Sequence, residues 1–150
     1  MVARLSVLGL ILVLALPAFG DDAPTISGDL AKLQGTWETK AGPGKNQLLH
    51  MTIEKTDLTL RYTVPGRIEP IVLNGQIQVD ETSTPKAMDW LKMHIAKQEL
   101  PAVYSIYELK GDTLRVRGSG ETQRPTEFQD DDNVPRHRSL SFQRVKSDAP

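Results

Sequence analysis

The clearest regularity in the chain is a series of short segments in which apolar and polar residues alternate. Leu49, Met51 and Ile53 alternate with His50, Thr52 and Glu54, the pattern of a half-buried strand, and Leu58, Leu60 and Tyr62 alternate with Thr59 and Arg61 on the return. Lys55 to Asp57 turns the chain between them, and Pro65-Gly66 ends the second segment. Ile68 to Val79 reads as a further hairpin about Asn74-Gly75, because both positions of that dipeptide accept the positive φ of a two-residue turn. Its register sets Val72 against Ile77 and Pro70 against Val79. Val103 to Arg117 forms another hairpin across Lys110-Gly111-Asp112: Tyr107 and Leu109 share a face with Leu114 and Val116, and Glu108 sits opposite Arg115 outside.

The ends of the pattern are as informative as its middle. Asp29 is placed to cap a short helical turn with Leu30 and Leu33 on one side, followed by Gly35-Thr36-Trp37 opening the first strand. The missing side chain at Gly35 lets another segment approach beside the indole. The last strand, Ser139 to Val145, puts Leu140, Phe142 and Arg144 on one face. An arginine on an apolar face needs a partner, and the Trp37 ring is the candidate. Pro85 to Lys97 fits a strand carrying Met88 and Trp90, or a helix on Ala87, Met88, Leu91 and Ile95. The excursion from Gly118 to Val134 offers one short strand piece at Thr126 to Phe128. With eight or nine short strands joined by hairpins and no alternating helix pattern, the chain predicts an all-β fold. It is a small antiparallel up-and-down barrel of about eight strands with a short N-terminal helical turn.

Composition adds a location. Arg4 is followed by an apolar run from Leu5 to Leu16, then Pro17 and Ala18-Phe19-Gly20, the layout of a secretory signal peptide of 1–20. The expected product is periplasmic or extracellular, with a flexible tail at 21–28, the barrel domain at 29–146 and a tail at 147–150. No stable membrane anchor is expected after cleavage. Losing the first 20 residues removes Arg4 and leaves 17 basic against 19 acidic residues, so no general field draws the protein to nucleic acid or anionic lipid without a local patch. The absence of cysteine excludes disulfides, thiol catalysis and a thiolate metal site.

Candidate chemistry is sparse. His50, His94 and His137 are far apart in sequence, Asp130-Asp131-Asp132 lacks the alternating spacing of a calcium loop, and no Ser-His-acid set or paired carboxylates stand out. No metal, no cofactor and no catalytic residue is expected, and the reading is non-enzymatic. Arg124-Pro125-Thr126-Glu127-Phe128 holds an arginine and a glutamate able to pair across a proline-led turn at the barrel mouth. Trp37, Trp90, Tyr107, Arg124 and Glu127 are the candidate ligand contacts, while Gly35, Trp37 and Arg144 are the candidate structural set.

Five stretches carry a resemblance: Asp29 to Trp37, Thr84 to Asp89, Ile106 to Leu114, Arg124 to Phe128, and Phe142-Gln143-Arg144. Together they resemble a family of small exported proteins of planctomycete-type bacteria described as a lipocalin-like domain of unknown function. The resemblance implies a calyx-like barrel and no activity. Where many relatives carry a cysteine soon after Asp-Thr-Leu, this chain has Arg117. Two functions are open. One is non-catalytic binding of a small apolar molecule in or at the mouth of the barrel. The other is an envelope or extracellular protein-interaction scaffold with a filled barrel, acting through the 118–138 loop.

Overall fold

A computed structural model of the chain describes residues 25–119, 123–128 and 139–146. The export segment 1–20, residues 21–24 of the expected tail, the Asp130 to Asp132 run and the tail 147–150 lie outside the described residues.

One short helix, α1 (Gly28–Leu33), precedes nine strands: β1 (Gly35–Ala41), β2 (Gln47–Glu54), β3 (Asp57–Thr63), β4 (Ile71–Asp80), β5 (Ala87–Ile95), β6 (Gln98–Glu99), β7 (Val103–Lys110), β8 (Thr113–Gly118) and β9 (Leu140–Arg144). Every pairing is antiparallel. Eight strands close into a ring in sequence order, with β4 joined to β5 and β9 returning to β1, while the two-residue β6 folds back on the end of β5. Closure leaves the main strands without free edges, which solves the edge problem of so many short strands.

The alternating segments take their places. Leu49, Met51 and Ile53 of β2 and Leu58 and Leu60 of β3 turn inward, none more than 1% exposed, with a tight turn at Lys55-Thr56. In the β7–β8 hairpin Leu109 faces Leu114 and Glu108 faces Arg115, as the pattern predicts. Glu108 also forms an ion pair with Lys110 at 3.0 Å. The 85–97 alternative resolves as strand β5. Met88 and Trp90 point inward opposite Val79 and Ile77, and Ala87 sits on the outer face opposite the fully buried Ile106.

Four expectations are corrected. Asn74-Gly75 is not a turn: β4 runs straight through it, with Asn74 paired to Thr59 on one side and His94 on the other. Val72 therefore faces Arg61, and Ile77 faces Trp90. The glycine serves close approach instead, because a Cβ there would lie 2.3 Å from Met93 Sδ and 2.8 Å from the Leu91 carbonyl oxygen. Second, Asp29 does not cap α1; Ser27 is the N-cap, and Asp29 lies in the first turn with its side chain buried. Third, Thr126 to Phe128 forms no strand. Fourth, Gly35 is needed for its backbone, at φ 108°, while the space beside it is ordinary, with Arg144 Nη1 3.6 Å from a Cβ built there.

Candidate functional site

The barrel interior and its α1 end form one packed unit. Trp37, Leu49, Met51, Ile53, Leu58, Leu60, Met88, Tyr107, Leu114 and Phe142 are each at most 1% exposed and belong to a single core with Leu33 of α1. Trp37 donates its ring N–H to the Leu33 carbonyl at 2.9 Å. Arg144, directly across the β1–β9 ladder from Trp37, lies 4.1 Å from the indole centroid. Its guanidinium donates to the Lys32 and Gln34 carbonyls at 2.6 and 2.7 Å and to Asp112 Oδ1 at 3.0 Å. These are the last carbonyls of the helix and its exit, groups that a helix leaves unpaired.

A second knot fixes the start of the helix. The buried Asp29 carboxylate accepts from Lys86 Nζ at 2.6 Å, from Tyr107 Oη at 2.9 Å and from Lys32 Nζ at 3.2 Å, and its own N–H donates to Glu81 Oε2 at 2.7 Å. The Lys86 hydrogen bond, outweighing burial and joined by those of Tyr107 and Lys32, holds the Asp29 carboxyl below its ordinary value. Burial, with Asp29 beside it, pushes the Tyr107 phenol far upward. Trp37 and Tyr107 are thus committed to the scaffold, with no face free for a ligand.

Arg124 and Glu127 do not pair. Arg124 instead grips Asp89 with both terminal nitrogens, donates to the Ser105 carbonyl at 3.0 Å and lies 5.8 Å from the Tyr104 ring centroid, all on the outer wall of β5 and β7. The Asp89 hydrogen bonds raise the Arg124 pKa further. Three residues on, Glu127 is exposed, and its carbonyl accepts from Arg117. Phe128 lies under Arg115, 4.8 Å from ring centroid to guanidinium carbon, so segment 123–128 is strapped to the wall over β5, β7 and β8. The extended partner within reach was Asp89, and a spacing of three along a proline-led bend did not bring Glu127 back to its own arginine. Trp90 is the remaining candidate; it points inward, and its ring N–H is buried with no partner among the described residues.

The five candidate contacts are therefore not one site. A groove of about 840 Å³, for which no residue stood out in the sequence, lies beside the β4–β5 bulge. The β4–β5 register shifts between Asn74 and Gln76, and Lys92 takes φ 51° on the facing strand, so β5 bulges there before His94 pairs again with Asn74 and β6 folds back on β5. Leu58, Met93 and Leu100 supply apolar surface, and Asn74, Gln76 and His94 with the charged Glu54, Asp57, Lys92, Lys97 and Glu99 line the rest. Asn74 Oδ1 accepts from Thr59 Oγ1 at 3.2 Å, which turns its amide N–H groups away from that bond. The His94 Nδ1 lies 3.1 Å from the Lys92 carbonyl, a contact only a protonated Nδ1 satisfies, leaving Nε2 as an acceptor in the neutral ring. A shallower cavity of about 530 Å³ lies beside Gly35, Thr36 and Arg144. Among the described residues no three His, Asp or Glu side chains are grouped to hold a metal ion.

No family model matches the chain, and no curated protein or solved structure matches it either.

Proposed function

We propose that the protein is an exported, non-catalytic binding module of lipocalin-like type that holds one small amphiphilic molecule in the groove between β3, β4 and the β5–β6 hairpin. The ligand then lodges at the mouth of the barrel wall, because the interior is taken up by the protein's own side chains. The observation that carries this reading is the groove and its lining: the half-buried Leu100 lies beside the nearly buried Leu58 and Met93, within a rim of polar and charged side chains that would orient a bound molecule. Amide NMR of labelled protein titrated with a panel of amphiphilic fragments tests it. Shifts should centre on Asn74, Gly75, Gln76, His94 and Leu100, and Gln76→Trp, which fills the groove, should remove them. Shifts centred on Tyr107 and Phe142, or none with any fragment, would refute it.

The filled barrel also favours a second reading, a protein-interaction scaffold acting through the 118–138 loop. In support, 123–128 is strapped to the wall with Glu127 left exposed. Deleting Asp130 to Pro135 should then abolish partner capture and leave the thermal midpoint nearly unchanged; unaltered capture would remove the loop from consideration.

A further inference from the structure

The β3–β4 connection, 64–70, holds a large apolar side chain fully in water. Ile68 is 97% exposed, whereas the other exposed large hydrophobics, Ile95 and Val145, reach 37% and 38%. A lone exposed apolar residue is ordinary on a protein surface. This one is presented by a preformed support. The Arg67 N–H donates to the Val64 carbonyl at 3.1 Å around Pro65 and Gly66, the latter at φ 80°, which are the marks of a type II turn. Arg67 Nε then donates to the Glu69 carbonyl at 3.1 Å, spanning Ile68, and Pro70 fixes the exit. Insertion of the side chain into an apolar phase would demand little further ordering of the loop.

The surroundings of this tip are cationic. Arg67 belongs to the loop, Arg61 lies on the outer face of β3 between His50 and Val72, Lys40 lies on β1 opposite Leu48, and Lys45 sits in the neighbouring β1–β2 connection. All four are exposed, and none takes part in an ion pair among the described residues. The β3–β4 connection carries one acid, Glu69, and on β1 Glu38 faces His50 at 3.5 Å. In ring order the β3–β4 pair lies across the barrel from the β8–β9 pair.

We infer that this end of the barrel docks on an anionic lipid surface, with Ile68 entering the acyl boundary and Lys40, Lys45, Arg61 and Arg67 facing the headgroups. An apolar tip combined with a basic surround is what reversible interfacial binding requires, because apolar burial and attraction to anionic headgroups add. A socket on a protein partner fits less well, since protein hot spots are wide aromatic or arginine anchors rather than one aliphatic tip among flexible cations. The patch shares no residue with the groove, so this inference stands or falls separately from the binding-module reading.

Co-sedimentation of the export-processed protein with vesicles tests it. Phosphatidylcholine mixed with phosphatidylglycerol should bind the protein, and phosphatidylcholine alone should not, with binding weakening as salt is raised. Ile68→Asp should lower the affinity roughly tenfold or more. Lys45→Glu with Arg61→Glu should abolish binding, whereas Lys110→Glu at the opposite end should not change it; equal thermal midpoints exclude misfolding. No binding to the anionic vesicles at low salt, or equal binding by Ile68→Asp, would overturn the inference. So would Ile68-dependent capture of a protein by a chain that ignores the vesicles.

Discussion

Arg144 ties the last strand to the first strand and to the helix at once, and replacing it shows how much that junction holds. Its guanidinium has four partners: the Trp37 face at 4.1 Å, the carbonyls of Lys32 and Gln34, and Asp112. The side chain is 25% exposed, so each interaction is discounted for solvent. The cation over the indole contributes about 0.5 to 2 kcal/mol. Two charge-assisted bonds to carbonyls contribute about 1 kcal/mol each at this exposure. The pair with Asp112, itself 57% exposed, adds at most about 0.5 kcal/mol. Arg144→Ala should therefore cost about 2.5 to 4.5 kcal/mol, read as the loss in unfolding free energy by urea titration followed by intrinsic fluorescence. Arg144→Lys keeps the charge but not the fork that reaches two carbonyls, and should lie between. Trp37→Leu preserves an apolar filler while removing the π face, so the cycle Trp37→Leu with Arg144→Ala isolates the ring contact, expected at about 0.5 to 2 kcal/mol. A loss under about 0.5 kcal/mol for Arg144→Ala, or additivity within about 0.3 kcal/mol in the cycle, would refute the reasoning.

Gly75→Ala should destabilise by about 1 to 3 kcal/mol. Adding Met93→Ala should recover only part of that, because the Leu91 carbonyl is fixed backbone; full recovery in the urea midpoint would mean that sulfur was the sole obstacle. The Asp29 carboxyl has a folded pKa below its unfolded one, near 3.8, so its contribution is present above about pH 4 and lost as pH falls through the folded value. Tyr107 has a folded pKa above its unfolded one, near 10.0, so its contribution is present below that pH and lost as pH rises beyond it. Thermal midpoints against pH should lose their acid slope in Asp29→Asn and their alkaline slope in Tyr107→Phe; slopes that persist in both variants would detach the knot from the pH dependence. Limited trypsin treatment should cut first after Arg67, whose following residue is the most exposed large apolar side chain among the described residues, and the nicked barrel should stay assembled by circular dichroism. A first cut within β5 or β7 would contradict the loop's placement.

Whether a feature could be read from the chain depended on how local its cause is. The alternation at Leu49 to Ile53 and Leu58 to Tyr62, and the hairpin across Gly111-Asp112, arise from neighbours in sequence, and the ladder places them as read. The Trp37–Arg144 contact spans nearly the whole barrel sequence, yet it was legible because a guanidinium on an apolar face cannot stay unpartnered. Asn74-Gly75 misled for the opposite reason. Its turn preference is local, but a hairpin there would strip β3 and β5 of the strand that joins them, and the pairing on both sides of Asn74 outweighs the dipeptide. The same competition decided Asp29, whose short carboxylate suits a cap in isolation but here meets Tyr107 and Lys86 arriving from β7 and the approach to β5.

The groove was not legible because none of its residues is unusual where it stands: Asn74, Gln76 and His94 are ordinary outward polar positions of strands. The available signal was Gly75, taken as a close-approach glycine inside a strand instead of half of a turn. Composition also constrains where a site can be. The described barrel holds seven aromatics, four of them (Tyr62, Trp90, Tyr104 and Phe128) outside the fully buried core, so the interior closes around Trp37, Tyr107 and Phe142 with aliphatic and thioether side chains. On the binding-module reading, a ligand is received where the wall is interrupted. Among the described strands the β4–β5 register shifts between Asn74 and Gln76, and there a bulged β5, the side-chain-free Gly75 and the start of the β5–β6 hairpin meet.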